Sequence, residues 1–227
     1  MVSLRTGNPQ QTKMPSRAID IGNGFGKRTR GRPRTPQLRE KILRSAQQLF
    51  GEREFHTVLT DEVAARAGVG KGSVYREFES KEALYAAAVI DGFAQLQDQI
   101  REALKQCDSV RARIATVIER SLRYFWNRRQ FFTILRDPAA LPKRQAQQYF
   151  AHREELSRIV RELLAEGVAT GALRDDLAIG VAAESLLGML RGINFYREDQ
   201  MSLEDAVSAA ISIFLDGCSD DRAAALK

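Results

Sequence analysis

The chain has 227 residues, 44% of them hydrophobic, a composition typical of a soluble globular protein with a sizeable core in one or two domains. No apolar run of secretory-signal length follows Met1, and charge interrupts every later run well before the ~18 residues a membrane span requires. A secreted or membrane-embedded protein is therefore not expected, and the cytoplasm is the expected location.

The net charge of +6 is unevenly placed. Residues 1–36 carry eight basic side chains against one acid, Asp20, a net of +7 that leaves −1 for the rest of the chain. This arm is rich in Gly, Pro, Ser, Thr, Asn and Gln, has no apolar period, and reads as disordered when free. It ends in RTRGRPRTPQ, which sets Arg28, Arg30, Arg32 and Arg34 at alternate positions with no acidic neighbour.

From Gln37 the apolar period is helical almost throughout. Leu38, Ile42, Leu43, Ala46, Leu49 and Phe50 share one face of a first helix that follows Pro36 and ends near Gly51. A short second helix is expected over Thr60–Ala67, capped by Thr60 or a neighbour and stopped by a left-handed Gly68. A third covers Lys71–Glu77, with Val74 and Phe78 turned inward, and Ser80 caps a long fourth helix that reaches about Gln106. Further helices are expected near 110–127, 130–136, 141–169, 176–194 and 203–217, punctuated by Pro138 and Pro142, by Gly171 and by the polar Arg197–Gln200 stretch. No strand, hairpin or long repeat pattern appears, so the expected fold is all-α.

Three short helices with a glycine-containing turn before the third describe a helix-turn-helix, whose last helix enters the DNA major groove. The stretch TDEVAARAGVGKGSVYREFESKEALYAA, Thr60–Ala87, closely resembles the signature of the TetR (tetracycline-repressor-like) family of transcriptional regulators. The resemblance is specific over Leu38–Ala88 and beyond that extends only to helix number and length. It implies an all-α architecture: an arm over 1–36, a three-helix helix-turn-helix DNA-binding domain over 37–83, a larger helical effector-binding and dimerisation domain over 84–218, and a tail over 219–227.

The resemblance also implies roles. Thr60, Lys71, Gly72, Ser73, Tyr75 and Lys81 would lie at the DNA, with Lys71, Tyr75 and Lys81 reaching phosphates or base edges and Gly72 allowing close backbone approach. Arg76 sits where similar proteins vary most and suits bidentate reading of guanine; an ion pair with Glu77 or Glu79 is the competing role. Gly70 stands where Ser is common, and Val58 and Leu59 replace a frequent hydroxyl pair. The arm fits beside such a unit, because narrow minor grooves attract Arg, and RGRPR resembles the core of an AT-hook. Arg30 and Arg32 would insert while Arg28 and Arg34 neutralise phosphate; a merely solubilising tail is the alternative.

In similar proteins the last two long helices of each subunit form a four-helix dimer interface that sets two recognition helices on a palindrome, and a small-molecule effector weakens operator binding, with repression the commoner outcome. The face expected to serve here comprises Leu177, Val181, Leu186, Leu187, Leu190 and Ile193, then Val207, Ala210, Ile211, Phe214 and Leu215, with small residues Gly180, Ala183, Gly188 and Gly192; intramolecular core is the alternative. Aromatic residues in Tyr124–Asp137 suggest an effector pocket built from Arg123, Trp126, Asn127, Phe131 and Arg136, although plain core competes for the rings.

Enzymatic motifs fail on spacing. GVGKG has Ala65 and Gly72 where a Walker loop needs Gly and Ser or Thr. His56 and His152 have neither HExxH spacing nor cysteine partners, Ser73 lacks a nucleophile-elbow frame, and the adjacent Glu154 and Glu155 diverge on a helix. No catalytic residue, cofactor or metal is expected. Cys107 and Cys218 read as isolated thiols in a reducing compartment, with a disulfide or redox switch as the other reading. The expected function is ligand-responsive transcriptional regulation; an effector-independent architectural DNA-binding protein is the alternative, and an enzyme without a local motif the remoter one.

Overall fold

The structure, a computed structural model, describes residues 36–131, 141 and 143–219. The arm with Arg30, Arg32 and Arg34, most of the expected 130–136 helix together with Arg136, and the tail beyond Ser219 lie outside the described residues. Among those described there are eight α-helices and no strand.

Helix α1 (Pro36–Glu52) starts on a proline, whose fixed φ suits a first helical turn, and buries Ile42, Leu43, Ala46, Leu49 and Phe50. A single 3-10 turn (Phe55–Thr57) leads to α2 (Thr60–Ala67). That helix stops where Gly68 takes φ 66° and ψ 36°, and its turn is closed by the Val69 N–H on the Ala64 carbonyl. Thr60 does not cap it. The N-cap residue is Leu59, which has no hydroxyl, so Glu62 reaches back and accepts from the Leu59 N–H at 2.8 Å. Arg53 holds the same carboxylate at 2.9 Å, and these two contacts, the backbone one first, lower the Glu62 pKa.

Helix α3 (Lys71–Glu77) places Val74 in the core, and Phe78 follows it there. Ser80 then caps α4 (Lys81–Leu104) by accepting from the Ala83 N–H. Gln47, buried on α1, donates to the Ala88 carbonyl at 3.2 Å and to Asp91 at 2.8 Å, which fixes α1 against α4. Phe50, Phe55 and Tyr85 stack beside this contact with ring centroids 4.9–5.9 Å apart.

The remaining helices are α5 (Val110–Trp126), α6 (Lys143–Ala169), α7 (Ile179–Tyr196) and α8 (Leu203–Cys218). Helix α5 is their hub, packed by α4, α6, α7 and α8. Its sequence explains this position: Ile114, Val117, Ile118, Leu122 and Phe125 bury a wide stripe, each worth about 1.5–3 kcal/mol when fully removed from water. Because α7 and α8 both lean on α5, Ala183, Leu186, Leu190, Ala210, Phe214 and Leu215 are buried within this chain. Much of the face expected to meet a second subunit is therefore intramolecular core. The outward surface of the two helices instead shows Val181 and Ile213, each 69% exposed, and Gly180, where an added Cβ would meet nothing within 4 Å. Both cysteines are free: Cys218 is buried, and the Cys107 sulfur lies 3.2 Å from the Thr116 hydroxyl.

Candidate functional site

Two features converge on α4. At its start lies the outward face of α3. Val74 and Phe78 anchor that helix, leaving Lys71, Gly72, Tyr75 and Arg76 exposed and Ser73 half-buried. Tyr75 is 47% exposed, an aromatic side chain standing in solvent on a seven-residue helix whose inner side is apolar. Lys71 pairs with Asp61 at 2.9 Å, which raises its pKa by hydrogen bonding and charge. The Lys81 amine sits 4.5 Å from the Phe55 ring centroid and donates to the His56 carbonyl at 3.4 Å, which places it over the 3-10 turn. Thr60 departs from the pattern: it is only 8% exposed at the first position of α2, so its side chain has little surface to offer a partner.

Farther along α4, a cavity of about 160 Å³ opens among α4, α5, α6 and α7. Phe93, Phe125 and Tyr149 form an aromatic wall, with Phe93 5.3 Å from Phe125 and 5.8 Å from Tyr149 between centroids. Leu156, Leu187 and Leu190 add aliphatic surface. Two buried polar side chains line the same space, Ser121 at 3% and Asn194 at 1% exposure, and the exposed Arg191 of α7 lines it as well. The Ser121 hydroxyl and Asn194 Oδ1 are buried without a hydrogen-bond partner. At the exposed rim, Arg153 of α6 is paired with Glu184 of α7, whose other oxygen accepts from Ser157 at 2.9 Å.

This cavity is not the pocket expected from sequence. Arg123 is exposed, paired with Glu119 at 3.2 Å, and faces an open groove of about 520 Å³ beside α8. Trp126 lies under the Arg197 guanidinium, 4.2 Å from its ring centroid, and Asn127 is an exposed helix C-cap. Phe131 is fully buried against Tyr85, with centroids 6.4 Å apart. Four of the five expected residues are thus dispersed by the end of α5, and Arg136 lies outside the described residues. Of the aromatic stretch, Phe125 does reach the cavity. Sequence reasoning missed Phe93, Ser121, Tyr149 and Asn194; the available signal was a small polar residue inside each apolar stripe, Ser121 beside Ile118 and Leu122, and Asn194 one turn after Leu190.

Among the described residues no group of His, Cys, Asp or Glu is placed to hold a metal ion, and no helix is long and apolar enough to cross a membrane. A short helix with a polar outward face, set on a glycine turn and carried by a long helix into a cavity-bearing bundle, defines a helix-turn-helix regulator. Residues 42–88 match the family model described as bacterial regulatory proteins, tetR family, and residues 107–218 match the tetracyclin repressor-like C-terminal domain. The HTH-type transcriptional activator FasR of Mycolicibacterium smegmatis is 33% identical over 94 residues, covering 41% of this chain and 43% of FasR, so that similarity spans less than half of the relative. An uncharacterized HTH-type regulator of Bacillus subtilis, YdeS, is 28% identical over 183 residues, 74% of this chain and 81% of YdeS. The structure of the regulator FadR from Bacillus subtilis in complex with stearoyl-CoA superposes with a TM-score of 0.65 at 16% identity, covering 78% of this chain and 98% of FadR. The chain belongs to the TetR family; it is a helix-turn-helix transcriptional regulator and not an enzyme.

Proposed function

We propose that this protein is a repressor that binds a palindromic operator as a homodimer and releases it when a small molecule enters the cavity beside α4. The observation that carries the reading is the shared helix: α4 begins next to the exposed face of α3 and contributes Phe93 to the cavity wall. A ligand there touches the element that bears the DNA-facing unit. Lys71, Gly72, Ser73, Tyr75, Arg76 and Lys81 meet DNA, and Thr60 acts by seating α2 and not by direct contact. The division into 37–83 for DNA and 84–218 for effector and dimer contacts accompanies this reading, as does placement of Arg30 and Arg32 in an adjacent minor groove.

Dimerisation is supported by the uncovered aliphatic and glycine surface on α7 and α8, and two-fold symmetry matches an inverted repeat. By linkage, the effector and the operator weaken each other's binding by the same factor. The test is selection of bound duplexes from a random pool with the full chain, followed by competition with small molecules and a promoter reporter. An enriched inverted repeat whose reporter rises on effector addition supports the reading. No preference over scrambled duplex at low salt would sink it, and a reporter that falls on effector addition would replace repression with activation.

A further inference from the structure

The polarity of the cavity selects among ligands. Asn194 Nδ2 donates to the Leu190 carbonyl at 3.0 Å, and a carbonyl only accepts, so the amide orientation is fixed and Oδ1 is the atom left buried without a donor, on a side chain that lines the cavity. Ser121, on the opposing helix α5, contributes a second unpartnered buried oxygen that can donate or accept. A buried acceptor without a donor carries a desolvation penalty that a ligand proton removes. Volume and shape supply the other constraint. Cavities of roughly 150 Å³ take a single benzene ring, and this one measures about 160 Å³. Its wall of Phe93, Phe125 and Tyr149 already packs in tilted and edge-on geometry, which a further ring extends. A long acyl chain outgrows the space.

We propose that the effector is a single-ring aromatic compound bearing a hydroxyl or amino hydrogen-bond donor, a phenol-class ligand whose ring packs on Phe93 and Phe125 and whose donor is accepted by Asn194 Oδ1. The inference deepens the effector reading above and rests on it for its regulatory consequence. Ser121 takes the ligand's second lone pair or hydrogen. The Arg153–Glu184 pair joins α6 to α7 at the cavity's rim.

Calorimetric titration of the full chain with phenol, with benzene and with stearoyl-CoA tests this, alongside retention of an inverted-repeat duplex in the presence of each. Phenol should bind about tenfold more tightly than benzene, the discrimination expected for pairing a buried polar group. Asn194→Leu should bring that ratio close to one, and Ser121→Ala should reduce it partially. The wild-type ratio stands as a test by itself if a variant fails to fold. Equal binding of phenol and benzene, or binding of neither, overturns the proposal. DNA released by stearoyl-CoA but not by phenol overturns the ring assignment while leaving the regulator reading intact. Phenol preference in a chain that selects no duplex supports the cavity assignment and removes the regulatory one.

Discussion

At the scale of single residues, the interior of the bundle contains an unresolved conflict at Gly92. The Tyr124 hydroxyl is buried without a partner, burial pushes its pKa up to about 12, and a Cβ at position 92 would lie 2.8 Å from that oxygen. Gly92→Ala should therefore cost about 1–3 kcal/mol through overpacking. With Tyr124→Phe in place the nearest obstacle becomes Phe131 at 3.4 Å, an ordinary contact. The same alanine should then stabilise by up to about 1 kcal/mol, because it replaces a mid-helix glycine. Urea unfolding of the two single variants and the double variant measures the change of sign.

A second residue-scale expectation concerns Glu155, whose carboxylate accepts from Arg158 at 2.7 Å and from Arg101 at 2.6 Å. Those hydrogen bonds, Arg158's first, hold its pKa at about 2 against an ordinary 4.5. A depressed carboxylate stabilises the folded state above its unfolded pKa and loses that contribution as pH falls toward the folded value. Glu155→Gln should thus lower Tm by a constant amount above pH 5, with the difference closing between pH 4.5 and 2 in thermal unfolding scans. Neither site was legible beforehand. Periodicity identifies the apolar stripe carrying Ser121, Tyr124 and Asn194, but whether a polar atom within a stripe finds a partner depends on the opposing helix, which one chain's spacing does not encode.

At the scale of elements, α2 and α3 match the sequence expectation to the residue because their ends are chemically marked: Gly68 adopts the left-handed conformation and Gly70 the extended one. Ends without such punctuation shifted. Helix α4 stops at Leu104 rather than Gln106, and α7 begins at Ile179 rather than near 176, with no side-chain cap at Ala178. The Lys71–Asp61 pair spans α2 and α3, and both side chains are more than half exposed, so it contributes little to stability. Its effect belongs to the surface potential. Asp61→Asn should tighten operator binding by roughly 2–5-fold at low salt, with the gain fading at high salt, in fluorescence anisotropy titrations.

At the scale of the whole molecule, the outward surface of α7 and α8 and the basic arm set the remaining expectations. Val181→Glu combined with Ile213→Glu places charge on the uncovered aliphatic surface without touching the core; on the homodimer proposed above, sedimentation should show the variant as a monomer and the unaltered chain as a dimer. Deleting residues 1–34 should flatten the salt dependence of operator binding, each lost phosphate contact removing a log–log slope of about 0.9. The cavity proposed to take the effector was the least legible feature at this scale. Arg123, Trp126, Asn127 and Phe131 are neighbours in sequence, yet the end of α5 turns them toward solvent, toward Arg197 and toward Tyr85, while the cavity draws on four helices at once.

The 24-residue α4 has a mechanical consequence. Phe93 stands twelve positions after Lys81, about 18 Å along the axis at the usual rise per residue. If the helix stays straight, a 5° swing about the aromatic wall carries its capped end sideways by about 1.6 Å. On the regulatory reading proposed above, a displacement of that size would misalign a hydrogen-bonded fit to base edges, which tolerates only a few tenths of an ångström.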